Sequence, residues 1–152
     1  MHAKARRAKI YGELIGYGTA FDAPEGEGRL VHASRRSVKR ALTAALRDAE
    51  LDASEIDLIC SAESGVRRMD AAERAGLAEV FAPDLPTVAT KRIWGETFGA
   101  ACAFSLAASL GWLAGNAPGP LVRGRQTREI RHVVIMAMGY YGNVSALIVR
   151  KG

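Results

Sequence analysis

The apolar positions of this chain fall into two periods. Ile10-Tyr11-Gly12-Glu13-Leu14-Ile15-Gly16-Tyr17-Gly18 reads as a strand ending in glycines. The polar, Pro/Gly-rich stretch 22–28 predicts a loop. Val38, Ala41, Leu42, Ala45, Leu46 and Ala49 recur at helical spacing, so a helix is expected to about Leu51, capped by Ser34 or Ser37. Ile56-Asp57-Leu58-Ile59-Cys60-Ser61 predicts a short buried strand. Asp70-Ala71-Ala72-Glu73 fits a helix start, with Asp70 as N-cap and Glu73 completing a capping-box variant. That helix runs to about Ala82, and Pro83 and Pro86 break it. Thr87-Val88-Ala89-Thr90 predicts another short strand. Residues 98–115 are apolar on every face, which predicts a helix buried on all sides. Asn116-Ala117-Pro118-Gly119-Pro120 is a loop, and the basic stretch to Arg131 has no clear period. Residues 132–138 and 144–150 read as two strands around the turn Gly139-Tyr140-Tyr141-Gly142-Asn143. Strands and helices alternate and a hairpin closes the chain. The expected fold is α/β, a mixed and mostly parallel sheet with an antiparallel edge, packed by helices.

Composition narrows the function classes. The chain has 152 residues and 49% hydrophobic content, which suits one domain over 1–152 with a sizeable core. The formal charge is +5 and the pI about 9.6. The basic residues come in short clusters: Lys4, Arg6, Arg7 and Lys9; Arg35, Arg36, Lys39 and Arg40; Arg123, Arg125, Arg128 and Arg131. No aromatic residues are interleaved with them as stacking platforms, so nucleic acid is not an expected partner. A solvated face and a surface for an acidic protein both remain open. Cys60 and Cys102 sit in apolar runs, outside any CxxC or Cys/His cluster, so no metal site is expected. Two reduced, buried thiols fit a cytoplasmic protein. The basic N-terminus has no apolar stretch behind it, which argues against a signal peptide. The apolar segment 98–115 is too short and too rich in small residues for a membrane span.

Five segments, in order, carry a resemblance. His2-Ala3-Lys4-Ala5-Arg6-Arg7-Ala8-Lys9-Ile10-Tyr11-Gly12-Glu13 comes first, then Gly16-Tyr17-Gly18 with Asp22-Ala23. Ala62-Glu63-Ser64-Gly65-Val66 follows the second strand, and Thr90-Lys91-Arg92-Ile93-Trp94-Gly95-Glu96 follows the third. Met138-Gly139-Tyr140-Tyr141-Gly142 closes the set. No one of them is specific, but together they resemble the C-terminal half of the β-ketoacyl synthases, a thiolase-like fold of two similar halves that sandwich central helices between two sheets. In that family the third segment reads His-Gly-Thr-x-Thr and the fourth Thr-Lys-x-x-x-Gly-His.

The resemblance therefore implies that Ala62 and Glu96 stand where the family carries its two catalytic histidines. Those histidines donate hydrogen bonds to a developing enolate oxygen. Alanine donates nothing, and an ionised Glu96 repels an oxyanion; only a protonated Glu96, with a strongly raised pKa, could donate. The family's cysteine nucleophile belongs to the other half, and Cys60, inside a strand, is no substitute. Glu73 and Lys91 match a buried ion pair of the family and are expected to survive as a structural pair. Losing one partner of such a pair costs roughly 3–5 kcal/mol. Gly65-Val66 and Asp70-Ala71-Ala72-Glu73 are most similar to the chain length factors, the histidine-less subunits that pair with an active ketosynthase in type II polyketide assembly. The function so implied is non-catalytic: a subunit that stabilises an active ketosynthase and shapes the tunnel for its acyl chain, with no cofactor. Trp94, Phe98, Met138, Tyr140 and Tyr141 are the tunnel or interface candidates, with ordinary core packing as the plainer explanation of each. Expected partners are a catalytic ketosynthase, a separate N-terminal ketosynthase-like half, and an acyl carrier protein drawn to the basic clusters. The alternative is a repurposed thiolase-fold enzyme acting on a thioester, with Glu63 or Glu96 as general base. A 152-residue unit with one sheet would leave part of the 98–115 helix uncovered, and such a patch marks an interface.

Overall fold

The computed structural model describes residues 2–24 and 31–152. Residues 25–28 of the expected 22–28 loop lie outside them. In chain order the elements are α1 (His2–Ala5), β1 (Gly12–Phe21), α2 (Arg35–Asp48), β2 (Leu58–Ser61), α3 (Arg67–Ala78), β3 (Thr87–Ala89), α4 (Lys91–Trp94), α5 (Ala101–Leu113), β4 (Leu121–Arg123), β5 (His132–Met138) and β6 (Asn143–Lys151).

The six strands form one sheet in the order β1-β6-β5-β2-β3-β4. β5, β2 and β3 are parallel neighbours, while β1–β6, β6–β5 and β3–β4 pair antiparallel. The mixed sheet is as expected, but antiparallel pairing reaches both edges and is not confined to one. The cause at the far edge is β4, formed by the basic stretch that shows no period in the sequence: Leu121 and Arg123 pair with Val88 and Thr87.

Alternation in the strands feeds two cores. Val134, Met136, Val144, Ala146 and Ile148 point to one face, under α2 and α3. Val133, Ile135, Leu147 and Val149 point to the other, under α5. On the first face α2 lies very close to β1, where a Cβ at Gly18 would meet the Ala41 carbonyl oxygen at 2.1 Å and one at Gly16 the Ala45 oxygen at 2.4 Å. The two strand glycines exist to let the helix backbone approach. Ser34 is the cap of α2, and its hydroxyl accepts from Ser37 N.

Two helices differ from the expectation. α3 begins at Arg67, a turn before Asp70. The Asp70 carboxylate is not a cap. It accepts from Ser64 N and Gly65 N at 3.1 and 3.0 Å, so it satisfies the loop that leads into the helix. α5 begins only at Ala101, after a 3-10 turn Phe98–Ala100, and it is not buried on all sides. Ser105, Ser109, Trp112 and Leu113 are buried, while Ala103, Phe104 and Ala107 are exposed. A single sheet can cover only one side of a helix. No helix among the described residues is long and apolar enough to cross a membrane.

Candidate functional site

β2 and β3 are parallel neighbours, so the loops that leave their C-terminal ends, 62–66 and 90–96, emerge at the same edge of the sheet. The geometry there rests on carboxylates. Ala62 is buried, and its N–H donates to Glu73 Oε1 at 2.8 Å. Glu63 is buried as well, and Arg74 Nη1 and Arg92 Nη2 both donate to its Oε2, at 3.1 and 2.8 Å. Glu63 therefore ties the first loop to α3 and to α4. The sequence reading missed this clamp. Its partners are 11 and 29 positions away, and no local pattern joins them.

Glu73 does not pair with Lys91, contrary to the expectation. Lys91 Nζ donates instead to Glu96 Oε2 at 2.8 Å, and among the described residues no cation pairs with Glu73. The physical reason is proximity. Glu96 follows Lys91 across the tight turn at Gly95 and reaches the ammonium from the same loop, whereas Glu73 faces the Ala62 N–H. Burial pushes the Glu73 carboxyl up to about 7, although the Ala62 N–H works against it. At Glu96 burial acts in the same upward direction, but the hydrogen bonds from Lys91 and Phe98 N, with the Lys91 charge, outweigh it and hold the carboxyl below its usual value.

The second oxygen of Glu96 accepts from Phe98 N at 2.8 Å. Phe98 has φ +48°, in the left-handed region that costs a non-glycine residue roughly 1–2 kcal/mol. The residue is 74% exposed, and its ring tilts against Tyr140, with centroids 6.5 Å apart. Behind this pair is a cleft of about 340 Å³ between the first turns of α5 and the start of β6, lined among others by Lys91, Glu96, Cys102, Ser105, Met138 and Asn143. The tunnel candidates thus divide. Phe98, Met138 and Tyr140 line the cleft. Trp94 lies outside it, its ring tilted against Phe104 with centroids 5.8 Å apart, and Tyr141 is exposed on the turn.

The two thiols differ. Cys60 is buried in the strand, and burial pushes its thiol up to about 11. Thr90 Oγ1 lies 3.9 Å from Cys60 Sγ and 2.9 Å from Ser105 Oγ, an internal network that pins α5 to the sheet. Cys102, expected to be buried, is only half-buried because it faces the cleft. Many of the basic-cluster side chains have local partners: Arg35 and Lys39 pair with Glu79, Arg36 with Asp22, Arg128 with Asp57 and Arg131 with Glu129. Among the described residues no group of three His, Cys, Asp or Glu side chains is placed to hold a metal ion.

The β-ketoacyl synthase C-terminal domain matches residues 11–120, well over half of the chain. The chain belongs to the β-ketoacyl synthase family. Family relatives include the tetracenomycin polyketide synthase ketoacyl synthase beta subunit of Streptomyces glaucescens, 32% identical over 95% of this chain and 38% of that protein. The 3-oxoacyl-[acyl-carrier-protein] synthase 1 of Escherichia coli K12 is 29% identical over 99% of this chain and 39% of its own length. This chain spans about two fifths of the curated relatives it matches. The ishigamide ketosynthase/chain length factor structure superposes with a TM-score of 0.85 at 27% identity, over 99% of this chain and 40% of that one. The fold is the ketosynthase fold, and the family holds both a beta subunit and a synthase. Membership therefore leaves catalysis to be decided at the two loops.

Proposed function

We propose that this chain acts as a non-catalytic, chain-length-factor-like subunit that pairs with an active ketosynthase in polyketide or fatty-acid-like biosynthesis, stabilising it and shaping its acyl-chain tunnel. The observation that carries the reading is the pair Glu96–Lys91. In this reading Glu96 takes a catalytic histidine's place, and an anion locked to a lysine at 2.8 Å cannot stabilise an enolate oxygen. Ala62, at the other histidine position, has only its backbone N–H, and that is spent on Glu73.

The thioester-enzyme alternative has less support. A general base works best with a pKa near the operating pH, and Glu96 is moved the other way. The uncovered flank of α5 and the exposed Tyr17 and Phe21 of β1 support a protein partner on that face, either the ketosynthase or a separate N-terminal ketosynthase-like half. An acyl carrier protein is the partner suggested for the exposed basic residues, such as Arg6, Arg7 and Arg40, that have no ion pair among the described residues.

Co-expression with an active type II ketosynthase, followed by affinity capture and mass measurement, tests the reading. A stoichiometric complex is expected, with the chain alone self-associating at micromolar concentration. A chain that runs as a monomer and captures no ketosynthase overturns it. So does condensation of malonyl and acyl carrier substrates by the chain alone, when that turnover vanishes on Glu96→Gln.

A further inference from the structure

Phe98 combines three features that are costly together: a left-handed backbone, an exposed ring and a position at the mouth of a cleft. Strained non-glycine residues persist where their surroundings fix them. Glu96 holds Phe98 N with one carboxylate oxygen and Lys91 Nζ with the other, each at 2.8 Å. Lys91 is largely buried, so the far end of the clamp is anchored and the near end dictates where Phe98 turns. The ring then meets Tyr140, which belongs to the turn between β5 and β6. The two aromatics bridge the loop after β3 and the hairpin turn, and the cleft runs behind them, past Cys102 and Ser105 of α5.

We propose that Glu96 is a positioning residue: its carboxylate sets Phe98 against Tyr140, and the aromatic pair forms the wall of a cleft that takes the acyl chain of a thioester. The ligand class rests on the function proposed above; the positioning role rests on the geometry alone. Phe98, Met138, Ala101 and Cys102 give the cleft an apolar wall for a hydrocarbon chain, while Lys91, Glu96, Ser105 and Asn143 line the rest of it and suit the polar thioester end.

Cys102 supplies a reporter, because it faces the cleft while Cys60 is sealed in the core. The test is the rate of Cys102 alkylation by iodoacetamide, mapped by peptide mass, on the full chain as it purifies, alone or with a co-expressed ketosynthase. The probe is octanoyl-N-acetylcysteamine, an uncharged acyl thioester. Wild type is expected to react slowly and to be protected further by the probe. Phe98→Ala and Glu96→Ala should both react several-fold faster and lose the protection, with unchanged far-ultraviolet circular dichroism. Glu96→Gln keeps an acceptor for Phe98 N and should restore most of it, a rescue that a merely structural loss of charge would not give. Protection in Glu96→Ala equal to wild type overturns the positioning role. A complex that forms with the ketosynthase but shows no protection in any variant overturns the cleft assignment and leaves the subunit pairing standing.

Discussion

The two faces of the sheet differ in how they are closed. Under α2 and α3, Val38, Ala41, Leu42 and Ala45 are wholly buried against Val134, Ala146 and Ile148. Under α5 the helix carries no charged residue at all, and yet Phe104 is 49% and, across the sheet, Phe21 is 58% exposed. A helix without charge gains nothing from water, so the second face is built to a standard of burial that this chain alone does not supply. The difference separates residues buried by this chain from residues it leaves exposed, and it can be tested by asking which changes cost stability and which cost association.

The largest loss is expected on the closed face. Leu42→Ala removes a fully buried side chain from the α2–sheet contact and should destabilise by roughly 2–5 kcal/mol, read as a lower denaturation midpoint with an unchanged slope. A near-neutral Leu42→Ala would mean that the closed face is not a packed core.

Next comes Glu73, a carboxylate buried on α3 with no cation against it among the described residues. Burial raises Glu73 from 4.5 to about 7, against the pull of the Ala62 N–H. Between those values the folded chain keeps a proton that the unfolded chain has lost. The sign follows: this group's contribution falls as pH rises from about 4.5 to about 7 and is level above that. Glu73→Gln keeps an acceptor for Ala62 N, so it should flatten that slope. At pH 8 it should stabilise by up to roughly 2–3 kcal/mol, shown by denaturation of both proteins across the pH range. A variant that tracks wild type at every pH would show that Glu73 is solvated or paired.

Gly18→Ala is expected to cost somewhat less, roughly 1–3 kcal/mol. Its new Cβ would meet backbone at 2.1 Å, and α2 must lift from β1 to make room. Thermal unfolding at fixed pH measures it.

The same contrast explains which parts of the fold are legible in the sequence. Period and caps were legible where one face of an element is buried by its own chain. The spacing of Val38, Ala41, Leu42, Ala45 and Leu46, with Ser34 ahead of it, defined α2 because these residues do line the core. α5 was legible as a helix, and a 152-residue unit with one sheet implied that part of it would stay uncovered, but its pattern did not say which side. An apolar sequence has the same pattern whether its second side meets this chain or another. The loops were harder for another reason. The family resemblance implied a Glu73–Lys91 pair, but which carboxylate takes the lysine depends on a turn at Gly95. The Asp70 signal was real, yet its acceptor went to loop N–H groups and not to a helix start, because the same side chain can satisfy either. The Arg74–Glu63–Arg92 clamp left no trace in any local window.

The smallest effect on stability, and the sharpest on the comparison, is expected at Ala107. Its side chain is exposed on the outer face of α5, a helical turn on from Ala103 and Phe104. Ala107→Glu buries nothing in the isolated chain and changes helix propensity by only a few tenths of a kcal/mol. The unfolding free energy should therefore stay within about 0.5 kcal/mol of wild type, read from denaturation. In an assembled complex the same carboxylate would enter an apolar contact without a cation, and truncated or unpaired charges there cost far more than they do in water. The variant should then remain folded while losing both self-association in size-exclusion chromatography and capture by a co-expressed ketosynthase. If both survive the charge, the open face of α5 is not the contact surface, and the comparison between the two faces describes this chain's packing without describing its partners.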